Sequence, residues 1–331
     1  MTMGIRKMPE EDWLVIDNKY EEEQSLKRFL LKNQRDGVMQ VLPCAEEACE
    51  EALDCIVNFL IKRYPSQFQY PKGKQGYIYN GITNRTFKVT KPYEQHPLEV
   101  AAQLAMEDIN LLIEGSGQDA RNYYLQASFS MAPAGWYISE RIGWPLWEIH
   151  GPVPIWDVKL RTAMEKFFLG LKVSSPVQRN NYFIQTNDTM FQQEPFADSL
   201  PTPPRIEDLR IRYERQTLRR LPRTRAVMFL VRTYLIPMTD LRDEKDSIYC
   251  LRSAIEAWPE EIAKYKGRHV WAAVFRFCPI GSPPLVTQTG DDPTAWNRLP
   301  ITNFTVPLWR SGDKSRLKSS SSDGRCLVGE S

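Results

Sequence analysis

Between Cys44 and Tyr64 the positions Ala48, Ala52, Cys55, Ile56 and Phe59 recur at helical spacing among glutamates. That pattern predicts an amphipathic helix with one buried stripe and a wet Glu side, closed by Pro65. Upstream, Trp13-Leu14-Val15-Ile16-Asp17 reads as a docking segment leading into a charged helix that ends near Gly37, with Glu21-Glu22-Glu23 as a solvated face. Leu98, Ala101, Ala102, Ala105, Ile109 and Leu112 fall on one side of a second amphipathic helix, from about Pro97 to Ile113. Pro97 suits its first turn, and Glu107 and Asp108 lie inside it.

Elsewhere the period is shorter. Glycines at 73, 76 and 81 around Tyr77-Ile78-Tyr79 predict a short hairpin, because no phosphate-loop spacing accompanies them. After Gly115-Ser116-Gly117 the period becomes two, which predicts strands over 123–130 and 135–139 across a Met131–Ala134 turn. Residues 142–154 are too rich in Pro and Gly for a regular element, and a helix is expected over 156–171. Strands follow over 181–185, 209–218 and 226–236, the last two joined by Leu221-Pro222-Arg223-Thr224 and preceded by a Pro-rich loop over 195–204. Ile248, Leu251 and Ile255 mark a helix stopped by Pro259, and Arg268 to Phe277 reads as a further strand.

These elements predict an α/β (α+β) fold with a mostly antiparallel sheet and packed N-terminal and C-terminal helices. Residues 1–285 are expected to form one domain. Residues 286–331 are expected to be an extension, disordered from about residue 311, where serine and glycine dominate. The alternative is a small helical domain over 1–115 beside a sheet domain.

With 43 Lys+Arg against 41 Asp+Glu in 331 residues, the formal net charge is +2. Such a balance argues against a dedicated nucleic-acid binder, which needs a basic excess on one face. No apolar run approaches the ~18 residues of a membrane span, and the first residues carry no apolar stretch of signal-peptide length. A cytoplasmic protein without a membrane partner is therefore expected. The six cysteines at 44, 49, 55, 250, 278 and 326 contain no CxxC pair, so neither a zinc ribbon nor a thiolate-held cluster follows from spacing. Hydrolase, Walker, HExxH, kinase and dinucleotide-binding signatures are also missing.

Two constellations remain. In Glu148-Ile149-His150-Gly151-Pro152-Val153-Pro154 one imidazole sits in a Pro-stiffened loop, flanked by Trp144, Trp147 and Trp156. A neutral imidazole in an aromatic surround suits an axial ligand of heme; equally, it suits a loop histidine bonded to a backbone carbonyl and packed on Trp. His96, before Pro97, is a second candidate ligand but fits a helix cap, and His269 sits among core-like residues. The other constellation is the arginine-rich strand around Arg212-Tyr213-Glu214-Arg215. Alternation places Arg212, Glu214 and Gln216 on one side and Tyr213, Arg215 and Thr217 on the other. It reads either as a carboxylate or propionate clamp or as an exposed salt-bridge ladder.

Taken together, HPLEVAAQLAMEDINLL (96–112), ASFSMAPAGWYISERIGWPLWEIHGPVP (127–154), RNNYFIQ (179–185) and RYERQTLRRLPRTRAVMFLVRTYL (212–235) resemble the heme-dependent oxidative N-demethylase alpha-subunit-like family. The ordered matches span roughly residues 10–285. The resemblance implies a PAS-like core that binds heme b and uses oxygen to demethylate a small secondary amine. Electrons would come from NADPH through separate flavin and iron–sulfur components, which fits a chain without its own nucleotide fingerprint or cluster cysteines. One departure is Tyr182, where the family strand is expected to carry Trp.

On this resemblance His150 is the expected iron ligand, with His96 as the fallback and Trp147 beside the cofactor. Arg212 or Arg215 would hold a propionate, and Glu214, flanked by Tyr213, would bind the ammonium form of the amine. A heme- or ligand-sensing module of PAS-like fold is the alternative function. A cofactor-free interaction protein is the third.

Overall fold

The structure is a computed structural model and describes residues 4–154, 156, 160–241 and 244–276. In chain order its first elements are β1 (Arg6–Lys7), α1 (Tyr20–Asn33), α2 (Arg35–Val38), β2 (Met39–Val41), α3 (Glu46–Arg63), β3 (Phe68–Gln69), β4 (Tyr77–Asn80), β5 (Arg85–Lys88) and α4 (Pro97–Leu104). Then come β6 (Asp108–Glu114), β7 (Tyr123–Phe129), α5 (Leu146–Ile149), α6 (Arg161–Gly170), β8 (Val177–Gln185), β9 (Arg210–Arg220) and β10 (Val227–Pro237). Three helices follow: α7 (Lys245–Glu256), α8 (Glu260–Tyr265) and α9 (Arg268–Arg276).

Seven strands form one antiparallel sheet in the order β1-β8-β9-β10-β6-β7-β2, and β3-β4-β5 form a small second one. The mixed helix and sheet class and the mostly antiparallel sheet are those expected from the sequence. Each face of the large sheet is covered differently. On one, Ile109, Leu111, Ala127, Phe129, Met228 and Leu230 pack with Ala48, Ala52 and Ile56 of α3 and with Ala101 and Leu104 of α4. The helices before residue 105 thus share one core with the strands. On the other face Leu112, Leu125, Leu218 and Val227 pack with Phe168 and Leu171 at the end of α6. A third cluster joins Ile184 and Ile211 to Leu251, Ile255 and Trp271 of α7 and α9.

Three expectations need correction. The helix predicted to Ile113 ends at Leu104; Ala105 turns extended, and Asp108–Glu114 is a strand. The first five residues of β6 are buried, and a strand covered on both faces carries a continuous apolar run that mimics a helix stripe. Residues 135–139 form no strand: Gly135 takes φ +77° and a 3-10 turn begins at Ile138. Arg268 to Arg276 is a helix, α9, in which Trp271 is buried while Ala273 is exposed. Over so few residues, Val and aromatic content had favoured a strand. Phe277, Cys278, Cys326 and the C-terminal extension lie outside the described residues.

The acidic faces are also less wet than expected. Glu51 of α3 is buried and accepts from the backbone N of Arg223 (2.6 Å) and Thr224 (2.8 Å), fastening the β9–β10 turn to the helix. Glu23 of α1 is buried against Arg232 of β10.

Candidate functional site

Pairing fixes which side chains share a face. Arg179, Asn181 and Phe183 of β8 stand opposite Gln216, Glu214 and Arg212 of β9. These six positions lie on the face that also carries Leu218 and Val227 and is covered by α6. Intervening residues Tyr213, Arg215, Thr217 and Arg219 point to the opposite face.

The arginines of β9 divide accordingly. Arg212, fully buried, donates to Glu214 Oε1 (3.2 Å), to Gln185 Oε1 (3.4 Å) and to the carbonyl of Ala132. Arg215 donates instead to the carbonyls of Asp12 and Trp13, and Arg219 pairs with Glu10 while its guanidinium lies 3.8 Å from the Trp13 ring centre. Both fasten the N-terminal segment, so Arg215 does not meet Arg212. Arg220 donates to the carbonyls of Phe168 and Leu171 and to the Tyr123 hydroxyl (2.9 Å), which anchors the end of α6. The Phe168 carbonyl also accepts from Leu171 N (3.3 Å), and a cation complements the exposed carbonyls of a helix C-terminus. The strand is therefore neither an exposed ladder nor a single clamp.

Asp108, at the start of β6, accepts from Ser130 Oγ (2.7 Å) and from the backbone N of Met131 (2.8 Å) and Ala132 (3.0 Å). With Arg212 on the Ala132 carbonyl, it fixes the chain where the long connection to His150 leaves β7. His150 follows the single turn of α5. Its Nδ1 lies 2.7 Å from the Leu146 carbonyl, and its ring stacks on Trp156 at 4.5 Å and 12°. A carbonyl can only accept, so Nδ1 carries the proton and Nε2 keeps its lone pair. Burial pulls the imidazole down to about 4, with Arg141 and Arg179 as lesser contributors in that direction, so the ring is neutral.

Glu214 accepts from Arg212, from Asn181 Nδ2 (3.2 Å) and from Gln216 Nε2 (3.0 Å). Lys266, just after α8, reaches the open edge of β8: its Nζ donates to the Tyr182 carbonyl (2.6 Å) and lies 4.8 Å from the Tyr182 ring centre. Electrostatically, Arg179 and Lys266 both sense Glu214, and His150 senses Arg179. His150, Arg179, Glu214 and Lys266 thus form one neighbourhood.

The remaining expected residues lie apart from it. Tyr213 faces away, 6.0 Å from the Tyr234 ring. His96 caps α4, its Nδ1 accepting from Leu98 N (3.1 Å) and its Nε2 lying 3.0 Å from Glu46, so both nitrogens are engaged. Trp147 is 38% exposed beneath the Arg161 guanidinium, and His269 meets the Asp198 carbonyl. Sequence reasoning quoted Arg179 only inside a motif and missed Lys266. Arg179 stands four residues before Phe183 on β8, in the same period of two that places Arg212 with Glu214 on β9, a signal that could have found it; Lys266 is brought in by tertiary packing alone.

A depression of about 620 Å³ between α3 and the small sheet, lined by Asp54, Tyr70, Lys74 and Thr90 among others, carries no histidine. Among the described residues no group of three or more His, Cys, Asp or Glu converges on a common point. His150, whose Nε2 keeps its lone pair, is a donor of the kind that heme iron takes.

An antiparallel sheet packed with helices, one face of it overlaid by a histidine-bearing connection, defines an α+β protein. A family model described as Haem-dependent oxidative N-demethylase, alpha subunit-like matches residues 4–276. The chain belongs to that family. Its name carries haem dependence, oxidative chemistry and a multi-subunit assembly. Among the described residues no helix is long and apolar enough to cross a membrane.

Proposed function

We propose that this protein is a heme b-dependent oxidoreductase subunit that uses oxygen for the oxidative demethylation, or a related oxidation, of a small amine. Separate flavin and iron–sulfur components supply its electrons. The observation that carries the reading is His150: a neutral ring, oriented by the Leu146 carbonyl, with Nε2 left as a donor to iron beside the polar face of Glu214. Supporting the PAS-like assignment, β6 to β10 lie in the spatial order β7-β6-β10-β9-β8, with the His150 connection joining β7 to β8.

When bound, heme supplies oxygen activation and electron transfer. The chain's own residues do the rest. His150 would hold the iron through Nε2, and Trp156 stacks on its ring and shields it from water. Glu214 holds the ammonium form of the amine through a carboxylate that Arg212, Asn181 and Gln216 orient. Arg212 and Arg215, expected at a propionate, already hold protein partners, so Arg212 acts on this face as a positioning residue for Glu214. Tyr213 and His96 lie outside the proposed pair of functional groups. Glu214→Gln should leave heme content unchanged while lowering formaldehyde release from an N-methyl secondary amine, with hydrogen peroxide as oxidant. Unchanged turnover would remove Glu214 from the site. Absence of formaldehyde from wild-type, heme-loaded protein would favour the second reading, a heme- or ligand-sensing module, which the same strand order also supports.

A further inference from the structure

Among the described residues, the His150-side face carries more positive charge than its carboxylate can neutralise. Glu214 is the acid on the described β8–β9 part of it, and Arg212 already pairs with it. Arg179 is left over: its buried Nε has no hydrogen-bond partner, and its guanidinium makes no ion pair among the described residues. Lys266 has only neutral acceptors within hydrogen-bond reach, the Tyr182 carbonyl and Asn181 Oδ1 (3.4 Å). Its Nζ is otherwise enclosed by the Tyr182 and Trp258 rings, the latter centred 5.0 Å away.

Unpaired cations are costly to bury, because neighbouring dipoles replace water only in part. Each feels that cost. Burial lowers Lys266 to about 8 against the opposing pull of Glu214, and burial lowers Arg179 as well. Two such groups on one strand edge, near an imidazole with a free nitrogen, are arranged for an anion that arrives from outside the chain. Arg179 offers a planar fork and Lys266 a point charge, the combination suited to a carboxylate.

We propose that Arg179 and Lys266 form a carboxylate-binding subsite at the β8 edge of the His150-side face. Two sources share that chemistry: a heme propionate, or the carboxylate of an N-methylated amino acid taken as substrate. The first rests on the proposed function, whereas the second does not require a porphyrin.

The test uses the full chain without heme. Quenching of tryptophan fluorescence by iron-free protoporphyrin IX and by its dimethyl ester compares a porphyrin with and without carboxylates, free of any contribution from iron ligation. Thermal shifts with sarcosine and with dimethylamine make the same comparison for the amine. If the subsite takes a propionate, wild type binds the free acid at least about tenfold more tightly than the ester, the ratio expected of one charge-assisted contact. Arg179→Met and Lys266→Met each lose most of that preference. If it takes a substrate carboxylate, the acid and ester bind alike, sarcosine but not dimethylamine raises the melting temperature, and both variants lose the shift. Arg179→Lys, which keeps the charge, should restore part of either effect and guards against a merely misfolded Arg179→Met. A carboxylate dependence that persists in both Met variants, or none in wild type with either probe, would overturn the subsite. Should neither porphyrin bind wild type, the heme reading falls and the sarcosine comparison alone decides.

Discussion

The two faces of the large sheet treat charge in opposite ways. On the face covered by α1 and α4, Arg232 places Nη2 2.7 Å from Asp17 and Nη1 2.7 Å from Glu23, and Lys27 donates to the carbonyls of Ala102, Ala105 and Glu107. Those groups are nearly or wholly inaccessible, and each cation meets oxygen atoms of the protein itself. On the His150 face, Arg179 and Lys266 lie near Glu214 but form no ion pair with it among the described residues. The first arrangement holds helices to strands. The second has no such ion pair, and the proposed carboxylate ligand would complete it. The difference is sharp for the guanidinium groups, since Arg232 meets two carboxylates and Arg179 meets none among the described residues, whereas Lys27 and Lys266 both meet carbonyls.

Breaking the first arrangement should produce the largest effect. Arg232→Met strands two carboxylates in the core, so unfolding free energy should fall by about 3–5 kcal/mol, the cost of removing one partner of a buried pair. A melt should then shift down by roughly 6–20 °C. A shift within about 2 °C of wild type would show that the network contributes little. Next is Arg220→Met, which removes the charged donor to the Phe168 and Leu171 carbonyls and to the Tyr123 hydroxyl. A loss of about 2–3 kcal/mol is expected by denaturant titration. Because α6 bounds the His150 connection, heme affinity should weaken with it.

A smaller effect sharpens the comparison through pH. His150 sits near pKa 4 when folded, below its ordinary 6.5, so between those values the unfolded chain binds more protons. Its contribution to stability is present above pH 6.5 and is lost as pH falls through that window toward 4. In heme-free protein, His150→Gln should flatten the decline of melting temperature between pH 6.5 and 4; an unchanged slope would mean that His150 is not buried neutral. Smallest of all, Arg219→Met removes the stacking on Trp13 and should cost about 1 kcal/mol in a chemical melt.

Legibility followed the same division. Long periodic segments were readable, because α3 and the β9–β10 pair each present one stripe or one alternation to a core. Doubly buried β6 was not, since its apolar run lacks a polar phase to set the period. The site was partly legible: Pro and Trp around His150 marked the loop, and alternation put Arg212 with Glu214 and away from Tyr213. What each arginine meets was not legible. Arg215 meets carbonyls some two hundred residues upstream, and Lys266 meets β8 from a helix junction. Such contacts arise from topology, which leaves no local pattern.

The central claim is the proposal that His150 Nε2 would hold heme iron. Absorption spectra of the purified full chain reconstituted with heme, as wild type, His150→Ala and His96→Ala, test it most directly. The account predicts a Soret band in wild type, its shift or loss in His150→Ala with recovery on adding imidazole, and a wild-type spectrum in His96→Ala. A His150→Ala spectrum identical to wild type would contradict the ligand assignment, and a wild type without a Soret band would contradict the heme reading itself.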